Sequence, residues 1–362
     1  MGDNLRRYRA IHEALRQWYP GELNGNRARH LTTLAALISG IIGSRSSQLP
    51  QIAAKVPDEN KPESRMKRYS RWVGNPRVSD EVYFLPYAQM LLTCLALETL
   101  VLVIDGSVVG RGCIALMVHV VYKGRALPVA WLVREGPKGH FPEAMHIELV
   151  EYVQEVVPLG ASVVFLGDGE FDGTDLQKVL DDEGWSYACR TALNTTAELE
   201  GERFRLDAMG ACIKPGTIVA FQHVRVTKVA YGPVTTICCW AKGCQDPMYL
   251  VSNLSCGVEA CRYYQKRFRI ETFFSDQKSR GFHLHKSHLS TPERLSRLLI
   301  ACCLAYIWIV YLGDVCEREG WREVIHRRSR CDLSLFQLGL RFLDYLLNEG
   351  MEIPVQFHIA IE

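Results

Sequence analysis

Residues 264–278 read YQKRFRIETFFSDQK. On a helix at about 100° per residue, Tyr264, Arg267, Glu271 and Lys278 fall within about 60° of arc. Ile270 and Phe273 turn away from that face, and Phe274 sits at its margin. A phenol, a guanidinium, a carboxylate and an ammonium are thus aimed together. That mix suits a site holding a metal ion and a phosphate chain. The alternative is an exposed face carrying an Arg267–Glu271 pair at i,i+4.

Two further carboxylates supply what the helix lacks. Residues 100–104 and 162–166 are short apolar runs that read as buried strands, and each ends at an Asp beside a Gly: Asp105-Gly106 and Gly167-Asp168-Gly169. An Asp at the mouth of a buried strand lies at the sheet edge, where the sites of α/β folds gather. The adjacent Gly lets a ligand approach closely. Glu170, Asp172 and Asp175 follow, but Asp168 is nearest the apolar run and Asp175 suits the start of the next helix. Asp105, Asp168 and Glu271 together form a three-carboxylate constellation. Hard divalent cations require oxygen ligands, and three carboxylates can hold two ions roughly 3.5–4 Å apart. Such a pair activates water or a 3′-hydroxyl and stabilises the leaving oxygen of an in-line phosphoryl displacement. No GxxxxGK[ST], GxSxG or GxGxxG motif offers a competing chemistry.

These residues need elements to place them. Residues 1–97 read as helices over 5–19, 29–43, 48–54, 64–73 and 80–97, broken at Pro20-Gly21, between Pro57 and Pro62, and at Gly74-Asn75-Pro76. Residues 98–190 change character: strands at 100–104, 114–122, 126–133, 162–166 and 185–189, helices at 143–156 and 175–182, and a hairpin signal at Lys123-Gly124. Residues 191–247, rich in Thr, Val and Gly, read as a β-rich insertion. Residues 248–316 return to a buried strand, the Glu271 helix and a long apolar run at 298–312. That run is about fifteen residues, short of the roughly twenty needed to cross a bilayer, and reads as a core helix opened by Pro292. Residues 317–362 form a helical tail with a basic stretch at 326–330. The expected class is α/β with a mixed sheet.

Composition adds a charge asymmetry. The chain has 362 residues, 48% of them hydrophobic, enough for one large core and smaller modules. The net charge is only +2, but residues 1–97 hold 14 Lys+Arg against 8 Asp+Glu, a net of +6, leaving −4 for the rest. A basic N-terminal part before an acidic body fits a DNA-gripping module joined to a carboxylate site. Arg65, Lys67, Arg68 and Arg71 crowd one predicted helix beside Tyr69 and Trp72. They suit DNA phosphates, or else form a solvated basic face. The first thirty residues are charged and lack an apolar leader segment, so a cytoplasmic location is expected, with the thirteen cysteines as free thiols. Cys239, Cys244, Cys256 and Cys261 make a C-x4-C…C-x4-C pattern, looser than zinc spacing, and read as buried thiols.

Tyr264-x2-Arg267-x3-Glu271-x6-Lys278 reproduces the Y-x2-R-x3-E-x6-K signature of the IS-four family of insertion-sequence transposases, which the chain resembles over about residues 5–350. Val103-Ile104-Asp105-Gly106-Ser107 is similar to the family's first Asp motif, and Leu166-Gly167-Asp168-Gly169-Glu170-Phe171 to its second. Many relatives carry Arg where this chain has Gly169. Arg68-x2-Arg71-Trp72-Val73-Gly74-Asn75 resembles a stretch of the family's N-terminal domain. The resemblance implies an RNase H-like core with a β-rich insertion and a helical DNA-binding domain. Asp105, Asp168 and Glu271 would be catalytic and would bind two Mg²⁺ ions, with Mn²⁺ able to substitute. Arg267 and Lys278 would hold phosphates and Tyr264 would contact DNA. Trp240 would stack on a flipped base, unless it is a core tryptophan, and Lys286 would reach phosphate, unless it lies in a solvated loop. The implied activity is cut-and-paste DNA transposition: cleavage of terminal inverted repeats through a hairpin, then joining of 3′-hydroxyls to target DNA. A homodimer on double-stranded DNA in a bacterial cytoplasm, at the nucleoid, goes with it. The alternatives are an RNase H-like nuclease without strand transfer and a domesticated, non-catalytic DNA-binding protein.

Overall fold

The structure, a computed structural model, describes residues 2–17, 25–137, 139, 141–327 and 332–355. Pro20-Gly21, the last residues of the first expected helix and Arg328 to Arg330 of the basic stretch lie outside the described residues.

Among the described residues six helices come first: α1 (Asp3–Arg16), α2 (Gly25–Ser44), α3 (Leu49–Ala54), α4 (Pro62–Val73), α5 (Asp80–Tyr83) and α6 (Leu85–Leu95). The single helix expected over 80–97 is two helices, because Phe84 leaves helical geometry and Pro86, at the start of α6, has no N–H to continue the ladder. Next come β1 (Leu100–Gly110), β2 (Cys113–Tyr122), β3 (Arg125–Glu135), α7 (Glu143–Gln154), β4 (Val163–Gly167), α8 (Thr174–Asp182) and β5 (Ser186–Thr191). The Lys123-Gly124 link between β2 and β3 has φ of 41° and 74°, both left-handed, as a two-residue hairpin matched to strand twist requires.

Residues 191–247 contain β6 (Thr196–Leu199), β7 (Glu202–Arg205), α9 (Asp207–Ala211), β8 (Thr217–Val226) and β9 (Tyr231–Trp240). These strands do not stand apart. β10 (Met248–Ser252) pairs antiparallel with β5 on one side and β9 on the other, giving one ten-stranded mixed sheet in the order β3-β2-β1-β4-β5-β10-β9-β8-β6-β7. Among the described residues, only β1–β4 and β4–β5 pair in parallel. Both faces of β4 are buried, which is why it reads as an unbroken apolar run.

After the sheet come α10 (Gly257–Tyr264), a 3₁₀ turn (Gln265–Phe268), α11 (Arg269–Gln277), a second 3₁₀ turn (Leu284–Lys286), α12 (Pro292–Arg318), α13 (Arg322–Ile325) and α14 (Leu335–Asn348). α12 is longer than its apolar run and, by length and composition alone, could span a bilayer; its most apolar stretch is wholly enclosed by protein. It packs against α14, β3 and the N-terminal helices α2, α4 and α5. Gly313 and Gly339 let α12 and α14 touch backbone to backbone, since a Cβ on either would strike a carbonyl of the other helix. Arg297 secures α12 to the N-terminal part by donating to Val78 O (2.9 Å) and Val73 O (3.2 Å).

Candidate active site

The parallel pairing of β1 and β4 brings the two aspartates together. Leu102 lies beside Phe165 and Val103 beside Leu166. Two further steps in that register set Asp105, midway along β1, against Asp168, just past the carboxyl end of β4. Asp105 does not close its strand, contrary to the sequence-based expectation. β1 runs on to Gly110 because β2 keeps pairing with it, and Asp105 sits opposite Met117. What ends at Asp105 is the cover that β4 provides. Both aspartates accept a backbone N–H from nearby in the chain: Asp105 Oδ1 from Gly106 within β1 (2.7 Å), and Asp168 Oδ1 from Glu170 in the loop after β4 (3.0 Å).

Glu271 comes from α11, across the cavity. The helix predicted over 264–278 is interrupted: α10 ends at Tyr264, the 3₁₀ turn carries Arg267, and Lys278 caps α11 with non-helical backbone. The tighter turn rotates Arg267 into the site. Its Nη2 donates to Glu271 Oε1 at 3.0 Å, while Nη1 lies 3.5 Å from Asp105 Oδ2 and 3.9 Å from Asp168 Oδ2. One guanidinium thus faces all three carboxylates. The Arg267 side chain is 9% exposed, against 22%, 34% and 56% for Asp105, Asp168 and Glu271. The four residues line a cavity of about 600 Å³ together with Ser107, Phe141, Glu170 and Phe274.

Burial pushes the Asp105 carboxyl up to about 6, and the neighbouring Asp168 charge adds to the rise; the Gly106 N–H and Arg267 act against it. This is a concentration of negative charge in a half-enclosed space, offset in part by the Arg267 guanidinium. Among the described residues no three acidic, His or Cys side chains are close enough to grip a metal ion as they stand. Arg267 occupies the centre that an ion would need. The donor set nevertheless fits a divalent cation: the oxygens are hard ligands, and Glu271 is more than half exposed on one turn of helix.

The other expected contacts are not gathered with these four. Tyr264 is buried at 1% exposure, so its ring anchors α10 to the core and is not presented to a ligand. Lys278 does reach the site's edge: its Nζ donates to Ser107 Oγ at 2.6 Å, and Ser107 is two residues beyond Asp105 on the same face of β1. On α4, Arg65 donates to Val56 O (2.6 Å), and Arg68 pairs with Asp58 (2.7 Å) and contacts the Tyr69 hydroxyl, so both brace the preceding loop. Lys67 and Arg71 are exposed. Trp240 is half-buried, and its indole N–H donates to Cys244 O (3.0 Å). Lys286 is exposed on a turn packed against β1.

Glu170 has a role that motif reading left open. Its Oε1 accepts the Phe141 N–H and lies 3.7 Å from His146 Nε2. It thereby ties down Phe141, whose ring covers Gly106 so closely that a Cβ there would collide. The Gly next to Asp105 was the available signal, since it marks a close approach without naming the partner. At Gly169, an added Cβ would meet only Arg190 O at 3.9 Å, so the position has room for a side chain.

A family model described as a transposase DDE domain matches residues 99–308, which takes in Asp105, Asp168 and Glu271. No curated protein matches the sequence. Among solved structures, the chain is similar to a piggyBac transposase synaptic complex with hairpin DNA at 11% identity and a TM-score of 0.49, covering 98% of this chain and 83% of that one. It is also similar to human ENDOV at 14% identity and a TM-score of 0.26, covering 66% and 90%. At these scores neither likeness bears on function.

Proposed function

The chain belongs to the family of transposase DDE domains, and from that premise we propose that it is a cut-and-paste DNA transposase with an RNase H-like core. Asp105, Asp168 and Glu271 are its metal-binding, catalytic triad. The observation that carries this reading is the meeting of those three carboxylates, from β1, the end of β4 and α11, around Arg267. Divalent cations, as DDE domains generally use, would be held by these three residues; two Mg²⁺ ions (or Mn²⁺) would activate the attacking oxygen and stabilise the leaving one.

The protein's own groups do the positioning. Arg267 holds the three carboxylates together before DNA arrives and then turns its guanidinium to a phosphate, which it matches in shape and charge. Lys278 leaves Ser107 for a neighbouring phosphate. Asp105 and Asp168 stay fixed by backbone N–H groups, so little reorganisation is needed when charge develops on the phosphoryl and leaving oxygens. Each step is a phosphodiester displacement: nicking of the transposon end, closure and reopening of a hairpin, and attack of the 3′-hydroxyl on target DNA. One site therefore serves them all. The basic N-terminal helices, with Lys67 and Arg71 outward, bind terminal inverted repeats. Trp240 and Lys286 are further DNA contacts, and the DNA-bound form is a homodimer in the bacterial cytoplasm, at the nucleoid.

The test uses purified protein, Mg²⁺ and a duplex carrying the element's own end. Asp105→Asn, Asp168→Asn and Glu271→Gln should each cut cleavage by on the order of 10²–10³-fold or more while end binding persists. Near-normal cleavage by any one of them would refute this site. Cut ends with no hairpin and no joined product from the wild type would instead identify a nuclease without strand transfer.

A further inference from the structure

The thiols of the C-x4-C…C-x4-C pattern do not gather as a metal site: among the described residues no such group exists, and Cys244 and Cys256 are exposed. A basic cluster does gather, along the part of β1 beyond its pairing with β4. Residues 278–289 run beside that stretch. Lys278 Nζ donates to Ser107 Oγ, the second 3₁₀ turn packs on β1, and Leu289 O accepts the Arg111 N–H (3.1 Å). From Asp105 to the end of β1 is about 17 Å, the axial rise of about five phosphates on one DNA strand. His283 opens the turn in left-handed backbone, φ 52°, which residues other than glycine seldom adopt. Hydrogen bonds hold it there. Its N–H donates to Lys278 O (3.0 Å), and its carbonyl accepts the Lys286 N–H (2.8 Å) and the Ser47 hydroxyl (3.2 Å). Leu284, Ser287 and Leu289 are buried, while Lys286 is exposed. The rings of His283 and His285 stand 6.2 Å apart, centroid to centroid, and both residues are half-buried. Nδ1 of each ring is enclosed with no hydrogen-bond partner among the described residues.

We propose that His283 and His285 are DNA-phosphate ligands that, with Lys278 and Lys286, form a track for the strand beside the cleaved bond and take up protons as it binds. DNA is the ligand by the transposase reading, on which this step rests. The charged groups that act on His285 are Lys286, His283 and Lys278, all basic. Of the elements packed against the turn, β1 presents the Ser107 hydroxyl and the turn after α2 that of Ser47, while the β1 carboxylate, Asp105, is turned to Arg267. Basic groups crowded in this way repel one another in the free protein and suit a polyanion. Burial and the neighbouring cations hold the His285 ring below its ordinary 6.5. A phosphate brought against it acts the other way and raises it. DNA binding therefore strengthens as pH falls through the bound value and levels off below the free one. Only a charged ring releases a counterion from DNA, so the histidines add to the salt dependence on the acid side alone.

The full-length protein in EDTA would be titrated with a labelled duplex carrying the element's own end, over a range of salt, at pH 6 and at pH 8. The slope of log affinity against log salt should be steeper at pH 6 for the wild type. The comparison is the double variant His283→Asn, His285→Gln, since asparagine accepts left-handed backbone. Its slope at pH 6 should be shallower by about 2, at about 0.9 per phosphate contact, and at pH 8 should lie within about 0.5 of the wild type. Asp105, pushed up to about 6, titrates in both proteins alike, so the difference between them is the measure. Equal slopes at pH 6 would overturn the proposal, and a wild type that still cuts its end would leave the transposase reading standing. A wild type that neither binds nor cuts the end would remove both. Should the variant fold poorly, binding heats of the wild type at pH 7 in two buffers of different ionisation enthalpy give the proton uptake directly. No uptake would overturn the proposal without any variant.

Discussion

Arg267 Nη2 donates to Glu271 Oε1 at 3.0 Å, an i,i+4 pair that points into the site. The same guanidinium reaches Asp105 and Asp168, so a pair that looks local in sequence is the hub of a tertiary cluster. One cation is thus held among three carboxylates that come from three different elements.

Arg267→Gln removes that cation. The metal-free variant should lose about 1.5–3 kcal/mol of stability, the range for hydrogen bonds to charged groups. Mn²⁺ should raise its melting temperature more than it raises that of the wild type, because no guanidinium then competes for the carboxylates. DNA cleavage should nevertheless fall by on the order of 10²–10³-fold, since the phosphate contact is gone. Thermal melts with EDTA and with Mn²⁺ check the first two outcomes; an equal Mn²⁺ response in both proteins would contradict the hub role.

His119 on β2 lies beneath α11, 4.3 Å from the Phe273 ring and 5.9 Å from that of Phe274, centroid to centroid. It is fully buried, neither ring nitrogen has a hydrogen-bond partner, and burial lowers it from 6.5 to about 3. Below pH 6.5 the unfolded chain gains a proton that the folded chain refuses. Stability contributed by the neutral ring is therefore present above pH 6.5 and lost as pH falls toward 3, at about 1.4 kcal/mol per pH unit. His119→Leu should flatten this acid-side loss and add about 1–3 kcal/mol at neutral pH by removing unsatisfied polar atoms. Denaturant melts at pH 5 and pH 8 measure both; an unchanged pH dependence would refute the assignment.

Asp276, on the same helix as Glu271, makes a buried ion pair with Arg125 of β3, and Arg125 also approaches the Tyr306 hydroxyl at 3.4 Å. Asp276→Ala should cost about 3–5 kcal/mol by leaving a guanidinium buried without its partner. The double variant Arg125→Met, Asp276→Leu should be less damaged than Asp276→Ala alone. Chemical denaturation of the three proteins provides the comparison.

Lys278→Ala should weaken end binding without regard to sequence and lower the slope of log affinity against log salt by about 1, as loss of a single phosphate contact requires. Ser107→Ala, which removes one resting contact of the ammonium and no charge, should leave that slope unchanged. Salt titrations of a labelled transposon end distinguish the two.

Much of this molecule is written locally. The apolar runs before Asp105 and Asp168, the Lys123-Gly124 hairpin and Pro292 at the head of α12 are signals that a few neighbouring residues carry among themselves. The spacing of Arg267, Glu271 and Lys278 likewise singled out the helix that faces the cavity. Backbone preference and hydrophobic period act over a few residues, so they survive in the linear chain. Contacts between distant segments do not. Asp105 and Arg267 are 162 residues apart, and no local period states that they meet.

Local periodicity also misjudged some particulars. Tyr264 shares an arc with Arg267 on an ideal helix, yet packing buries its ring while a 3₁₀ turn aims Arg267 at the carboxylates. Arg65 and Arg68 look free in sequence, but the loop before α4 consumes them. The chemistry that this chain can perform was thus set by residue type and spacing. Which side chains are left available for it, and which cation stands among the three carboxylates, was decided by packing between elements far apart in the chain.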